Sequence, residues 1–381
     1  MKKVYIIVTL FLSIPSFAQE DSELAMPPNG DNEKAEVSQW MGLVKVTIAY
    51  HSPDVHAATG QDRTGHIWGE LVHYGFVDQG FGPSTAGPWR AGANETTTIS
   101  FSHDVTVAGK VIKAGTYALF LDVEKDGPWN WILSSNIGWG SYQYDPKFDV
   151  VRVPAQPQES NYSEWLTYGF DDRQPNSSVA YLHWENKKVS FKIEVPNSDE
   201  LYLNQIRRDL QSWAGFNYQN WQTAAAFCAQ RKMNLDEALI WADKAINDPF
   251  RGATFGKADF STYSTKAQVL MALGRNDEAD AIMDAALKIP GTESFNIYVY
   301  SRSLLNAGKK ERSLAVALHN LKTHPDEPFW TQLGLARSYA AVGDKKNAIK
   351  SWKLALQHVP PSQKQRVPQF ESELKKLEGG S

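Results

Sequence analysis

The 381-residue chain is 42% hydrophobic and 12% aromatic, and it contains one cysteine, Cys228. Its length suggests two hydrophobic cores, and a single cysteine excludes an internal disulfide, so burial has to stabilise both. The segment from Gln19 to Ser198 is acidic, with 13 basic and 23 acidic residues, whereas the rest is mildly basic. An acidic surface repels phosphate, and the rear half has no basic cluster with interleaved aromatics, so we expect no nucleic-acid partner.

The first residues have the pattern of an export signal. Two lysines precede a short apolar run, Val4 to Leu12, and Ser16 and Ala18 fit the −3 and −1 positions of a signal-peptidase site. The apolar run is far shorter than the ~20 residues that cross a bilayer, and no later run approaches that length. We therefore expect cleavage near Ala18 and a periplasmic or secreted protein without a membrane span.

From about residue 42 to residue 195 the apolar residues alternate, in strand-length runs separated by Gly, Pro, Asn and Asp. Many short strands without intervening helices predict an all-β sandwich or a barrel-like domain. The predicted strands are 44–50, 96–101, 105–107, 111–112, 115–122, 130–134, 150–153, 165–170, 179–184 and 189–195.

The densest polar motif of this half runs from Trp89 to Thr98. Arg90 and Asn94 offer a guanidinium fork and an amide that could bind a carboxylate or a sugar at a sheet edge. The alternative is an arginine paired with an acid and an asparagine that caps a turn. We take Trp89, Arg90, Asn94, Tyr117 and Trp139 as the candidate ligand-binding residues.

A carbohydrate ligand is suggested by the aromatic residues of this half. Trp129 and Trp131 share a strand face, and with Trp139 and Tyr142 they could form a flat platform on which sugar rings stack. Aromatics that alternate along strands more often fill a core. Exposure of the indoles therefore decides between the two interpretations.

Four histidines fall in one short stretch that also contains several acids. Zinc needs three or four ligands on a preformed scaffold, and the spacings match no motif such as His-Glu-x-x-His. No metal is favoured, and His51, His66 and His73 remain weak candidate ligands. Convergence of two of them with Asp54 or Asp62 would favour a metal site.

The rear half contains pairs of small residues twelve apart, which place one small side chain on each helix where two helices of a hairpin touch. Gly274, Gly308 and Gly343 each precede the second small residue by five positions, where a turn between helices favours glycine. The last three units repeat at 34 and 35 residues. The repeat-packing pairs are Ala226 and Ala238, Ala267 and Ala279, Ser301 and Ser313, and Ala336 and Ala348.

This half resembles the tetratricopeptide repeat family. Its last unit carries Ala336, Tyr339, Ala348, Trp352, Ala355 and Pro360 at the signature positions, whereas the first unit has Met233 in place of the turn glycine. The resemblance implies a surface that binds a protein or peptide. The alternative is an array that only packs and binds nothing.

The β half resembles the family known as domain of unknown function 2911. The similarity lies in Ile67–Gly69, Tyr74–Gly75, the Trp89–Thr98 motif, Ala114–Phe120 and Trp139–Gly140. The chain departs from the family at His73, where proline is usual, and by an insertion at Asp78–Gly87. The family is exported and often joined to tetratricopeptide repeats, and it has no assigned activity.

These observations predict an α+β two-domain chain. No Gly-x-Ser-x-Gly elbow, phosphate loop or dinucleotide fingerprint occurs in the sequence, so we expect no cofactor. The leading hypothesis is a non-catalytic binding protein with a protein or peptide partner and a β-domain ligand, carbohydrate being one candidate. The alternative is a hydrolase or metal-dependent enzyme with its site on the β domain. The predicted segments are a signal peptide (1–18), a flexible segment (19–38), the all-β domain (39–196), a linker helix (197–215), the tetratricopeptide-like repeats (216–361), and a capping helix and tail (362–381).

Overall fold

A computed structural model describes residues 32–248 and 255–379 of the chain, which divide into two compact units at Tyr202 and Leu203. The predicted signal peptide and its cleavage site lie outside the described residues. Among the described residues, no helix combines the length and apolarity needed to cross a membrane.

The described part of the first unit contains ten strands in two antiparallel sheets. The larger sheet has the order β1-β2-β3-β6-β7-β8, and the smaller has the order β5-β4-β10-β9. The strands are β1 (Asn32–Met41), β2 (Val44–Pro53), β3 (Thr98–Phe101), β4 (Val105–Val107), β5 (Lys110–Ile112), β6 (Gly115–Asp122), β7 (Trp129–Ser134), β8 (Asp149–Ala155), β9 (Gln158–Gln174) and β10 (Ser177–Glu194).

Period-two alternation builds the core of this unit. In β2, Val44, Val46 and Ile48 are fully buried, while the residues between them are only partly buried. Inward-facing residues of both sheets join one apolar cluster. The all-β prediction is therefore confirmed, but the barrel-like alternative is wrong, because each sheet ends in two open edge strands.

Several strand boundaries differ from the sequence-based expectation. Strand β9, expected at 165–170, runs from Gln158 to Gln174, and β3, expected from 96, begins at Thr98. Residues 32–38, which we expected to be flexible, form most of the edge strand β1, paired along its length with β2. Segments 179–184 and 189–195, expected to be separate strands, are joined in the single strand β10, which ends at Glu194. Register shifts on either side of Glu185, which has φ +51°, let this strand bend without ending.

The helical region contains ten α-helices among the described residues. α1 begins in the first unit, α2 to α9 form four antiparallel hairpins, and α10 follows the last hairpin. The helices are α1 (Ser198–Leu210), α2 (Tyr218–Arg231), α3 (Leu235–Ile246), α4 (Phe260–Ala272), α5 (Asn276–Ala286), α6 (Ser294–Asn306), α7 (Lys310–Thr323), α8 (Pro328–Ala341), α9 (Lys345–Gln357) and α10 (Val367–Gly379).

The small residues lie where the helices touch in the last three hairpins, and all six are buried. Ser313 of α7 illustrates the contact, because its hydroxyl donates to the Ser301 carbonyl of α6 at 2.7 Å. Each of these hairpins turns at its glycine, with φ between +76° and +87°. At such an angle an L-residue is strained, so glycine is favoured there.

The first hairpin departs from this pattern by one residue. Its turn contains two left-handed residues, Lys232 with φ +53° and Asn234 with φ +46°, and Lys232 rather than Met233 occupies the glycine position. Counting back seven positions from the turn residue, as from Gly274 to Ala267, leads to Ala225 rather than Ala226. Ala225 is fully buried, whereas Ala226 is only partly buried. The turn is one residue longer, so Ala225 is the residue equivalent to Ala267.

The last hairpin is covered by α10. Phe370 is buried among Trp352 and Phe329, with ring centroids 6.0 and 6.1 Å away. Arg337 of α8 forms a two-pronged ion pair with Glu373 of α10, at 3.0 and 3.2 Å. A terminal helix of this kind shields the last apolar face of a repeat array from water.

Candidate functional site

A cavity of about 420 Å³ in the β domain contains the motif that the sequence singled out. Trp89, Arg90 and Asn94 all line it. The other walls come from earlier residues of the same connection between β2 and β3, from the ends of β1 and β2, from the turn at Ser141–Tyr142, and from Trp184 of β10. The volume is within the range of small-ligand sites, which are usually concave and few per protein.

The backbone around Arg90 is fixed from both sides. The carbonyl of Trp89 accepts the Leu121 amide of β6 at 2.9 Å, and the Trp89 indole donates to the Gly92 carbonyl at 3.1 Å. Ala91 and Asn94 both have positive φ. A Cβ at Gly92 would lie 2.5 Å from the Thr97 hydroxyl, so only glycine fits there. The loop therefore holds the backbone at Arg90 in one conformation.

Arg90 supplies a positive charge that no acid of the described chain neutralises. Its Nη1 donates to the Asn94 carbonyl, and its guanidinium lies 4.9 Å from the centre of the Tyr142 ring. Arg90 forms no ion pair with any carboxylate of residues 32–248 and 255–379. Arg63, which also lines the cavity, differs because its Nη1 is 3.3 Å from the buried carboxylate of Asp54.

Two buried tryptophans form the floor of the cavity. The rings of Trp89 and Trp184 stack at 6.2 Å with an angle of 22° between their planes. Trp68 packs edge-on against both at 6.0 Å. The Trp184 Nε1 is a buried donor that has no acceptor among the described residues. The floor is therefore built of aromatic rings.

Two of the five candidate ligand-binding residues do not line this cavity. The Tyr117 hydroxyl donates to the Lys113 carbonyl at 2.9 Å. Trp139 is 68% exposed and precedes the Ser141–Tyr142 turn. Asn94 does line it, and its amide is held by Asn32 and His51, each at 3.2 Å.

The proposed sugar platform is wrong for two of its four members. Trp129 and Trp131 are 3% and 0% exposed, so neither presents a face to solvent. Both occupy the core because β7 is a central strand covered on that face by the second sheet. Only Trp139 and Tyr142 of that set reach the surface.

The three weak metal candidates do not converge. His51 pairs with Glu95, and His66 Nδ1 lies 2.9 Å from Glu70. His73 lines the cavity, and its buried Nδ1 has no partner among the described residues. Within residues 32–248 and 255–379, no group of three or more His, Cys, Asp or Glu side chains is arranged to hold a metal ion.

A separate polar cluster joins the β2–β3 connection to β9. Glu164 accepts from the Tyr162 hydroxyl and from the backbone and Nδ1 of His56, at 2.7 and 2.8 Å for the latter two. The hydrogen bond from Tyr162 and those from His56 lower the pKa of Glu164 to about 2. The same contact raises the pKa of His56. The cluster fixes this connection and lies outside the cavity lining.

Sequence reasoning missed the partners of the motif. Trp184 and Arg63 are separated from Arg90 in sequence, and no spacing rule joins them. Gln79 also lines the cavity and belongs to the Asp78–Gly87 insertion, which was the one usable signal, because an insertion beside a conspicuous loop often shapes a site.

The fold and the cavity define a two-part protein: an all-β domain with a concave polar site, followed by an array of helical hairpins. Residues 32–193 match the model of a family described as a protein of unknown function, DUF2911, which confirms the resemblance noted for the β half. A search of curated proteins gave no match.

Two solved structures are similar to the helical region. MamA, residues 41 to the end, from Desulfovibrio magneticus RS-1 is 16% identical, with a TM-score of 0.27 over 42% of this chain and 93% of that chain. MamA from AMB-1 is 13% identical, with a TM-score of 0.26 over 43% of this chain and 93% of that chain.

Proposed function

We propose that this chain is an exported, non-catalytic binding protein whose β domain holds a ligand bearing one carboxylate in the Arg90 cavity. In this proposal the helical hairpins bind a protein or peptide partner. The observation that carries the ligand proposal is the un-neutralised Arg90 guanidinium, oriented by Tyr142 at the wall of a cavity.

The charge of the lining favours a monoanion. Among the described residues, no Asp, Glu or Lys lines the cavity, and Asp54 already neutralises Arg63. One net positive charge therefore remains, at Arg90. A carboxylate matches the planar fork of a guanidinium and can accept two parallel hydrogen bonds. A phosphate dianion would leave one charge unpaired in a partly buried site.

Under this proposal, a carbohydrate ligand would have to be an acidic sugar. With Trp129 and Trp131 buried, the four-residue platform expected to stack a neutral ring is not formed. A uronic acid would bring the carboxylate that Arg90 can bind. Neutral and acidic forms of one sugar therefore separate the two modes of recognition.

Calorimetry on the full chain without its leader tests the ligand proposal. The panel contains neutral sugars, uronic acids and small organic carboxylates, and the variants are Arg90→Gln, Arg90→Lys and the matched surface control Arg173→Gln. Hydrogen bonds to charged groups contribute about 1.5–3 kcal/mol, so we expect Arg90→Gln to weaken carboxylate binding by roughly ten- to a hundredfold. Arg90→Lys should retain part of it. Equal binding by Arg90→Gln and by the parent protein would overturn the proposal.

The partner proposal rests on an exposed apolar stripe. Phe295 and Val299 of α6 are both more than two-fifths exposed, and the Phe295 ring lies 4.7 Å from that of Trp330 on α8. Residues four apart share one helix face. In a pull-down with the full chain, the Phe295→Ser variant should no longer bind the specific partner. The Leu318→Ser variant should still bind it, although Leu318 of α7 is equally exposed. Loss in both variants, or in neither, contradicts this surface.

Export is tested by fractionation of the producing cells and by sequencing the N-terminus of the purified chain. We expect an extracytoplasmic protein that begins at Gln19. A cytoplasmic protein that retains residues 2–18 would contradict the proposal.

A further inference from the structure

Three large apolar side chains that face solvent lie in the lining of the Arg90 cavity or on segments packed against it. Leu71, which lines the cavity, is 51% exposed, Phe81 is 64% exposed and Trp139 is 68% exposed. We call these three residues the apolar rim. Single exposed apolar residues are ordinary on protein surfaces, but several around one concave site mark a binding surface.

The fold holds Phe81 beside the cavity. Its ring packs edge-on against Tyr142 at 5.5 Å, and Tyr142 is the residue that supports Arg90. A Cβ on the next residue, Gly82, would lie 2.5 Å from the Tyr142 carbonyl, and that carbonyl also accepts the Ser84 amide at 3.1 Å. The insertion Asp78–Gly87 is therefore packed against the cavity wall.

Trp139 belongs to a segment that packs against the Arg90 loop. The Gly138 carbonyl accepts a hydrogen bond from Thr96, which follows the Arg90 loop. A Cβ at Gly140 would lie 3.6 Å from the Arg90 Nε. The exposed indole thus projects from a backbone segment that contacts Arg90 itself.

We infer that the preferred ligand is an organic monocarboxylate with an apolar body, whose carboxylate binds Arg90 and whose body covers the apolar rim. This inference rests on the proposed function and narrows its ligand class. Charge complementarity selects the monoanion at Arg90. Burial of Leu71, Phe81 and Trp139 surface then favours an alkyl or aryl body over a hydroxylated one, because each polar hydroxyl placed there would lose water without a partner.

The test is calorimetry on the full chain with a graded series of ligands. Acetate, butyrate, hexanoate and octanoate vary the chain length, phenylpropanoate provides an aryl body, and glucuronate provides a hydroxylated body with the same charge. Octanol removes the carboxylate. Buried methylenes contribute about 0.8 kcal/mol each, so affinity should rise by up to about fourfold per methylene until the rim is covered. Octanol and glucuronate should bind far more weakly than octanoate.

The variants separate the rim from the charge. Phe81→Ser combined with Trp139→Ser should flatten the dependence on chain length, so that octanoate loses far more affinity than acetate does. Trp213→Ser, an 86% exposed indole in the second unit, is the matched control. Melting curves check that the variants fold.

Three results would overturn the inference. Carboxylate binding that is independent of chain length would contradict the preference for an apolar body, while the proposed function would still hold. Absence of carboxylate binding across the series would contradict both this inference and the proposed function. A double variant that alters sedimentation of the unliganded protein without altering affinity would assign the rim to contact with a second copy of the chain.

Discussion

Tryptophan substitutions at two adjacent alanines of α2 should have very different effects. Ala225 is fully buried and occupies the position that Ala267 and Ser301 occupy in the next hairpins, where α2 and α3 touch. Ala226 is only partly buried. Overpacking a helix contact costs about 1–3 kcal/mol or more. For a region of this size each kcal/mol lowers the melting temperature by about 2–4 °C, so Ala225→Trp should lower it by roughly 2–12 °C.

Thermal unfolding of the full chain followed at 222 nm is the appropriate assay, because the helical half dominates that signal. Ala226→Trp should lower the free energy of unfolding by less than Ala225→Trp does, because position 226 is only partly buried. Ala348→Trp, at a fully buried position of the last hairpin, is the positive control. Equal effects at 225 and 226, or a larger effect at 226, would refute the assignment of the first hairpin.

Further predictions concern the turns and the titrating groups. In urea unfolding, Lys232→Gly should stabilise the helical half by up to about 1 kcal/mol, and Gly308→Ala should destabilise it by about 1 kcal/mol. Both positions have positive φ, which glycine adopts without strain and alanine does not. Effects of the opposite sign would contradict the turn geometry. Glu164→Gln should lower the pKa of His56 in an NMR titration, because the Glu164 contact is the main cause of its increase, whereas Glu70→Gln should leave it unchanged. The stabilisation from this pair is present in full below the unfolded pKa of His56, near 6.5, and above that of Glu164, near 4.5. It is lost as the pH rises through the increased pKa of His56 or falls towards 2. His56→Gln should therefore destabilise the protein more at pH 5.5 than at pH 9, and an equal loss of stability at the two pH values would contradict this.

The helical half was predictable wherever its turn chemistry was regular. A glycine at a fixed offset identifies the left-handed residue, and the small residues then follow by counting, as Gly308 fixes Ser301 and Ser313. The prediction for the first hairpin was one residue off because Lys232 adopts the left-handed conformation without being glycine. The consecutive alanines of α2 offered no way to correct the count by composition alone.

The β half was predictable in class and in most strands, but not at its edges. Strand β6 begins and ends where the alternation placed it, at Gly115 and Asp122. Strand β1 was missed because an edge strand that is partly exposed on both faces shows no clear alternation. The continuity of β10 through Glu185 was missed because a bulge interrupts the period-two pattern.

The limit of sequence reasoning at the site is clearest in its two arginines. Arg63 and Arg90 are chemically identical, and both line the cavity, yet Arg63 is neutralised by Asp54 and Arg90 is not. That difference depends on which side chains the tertiary fold brings within a few ångströms, and the acidic composition of the domain gives no indication of it. Because an ion pair with a buried acid cancels a charge locally, ligand binding has to be assigned to the arginine that the fold leaves without a carboxylate. The cavity therefore presents one positive charge beside apolar surface, and this combination is the basis for expecting a monocarboxylate ligand.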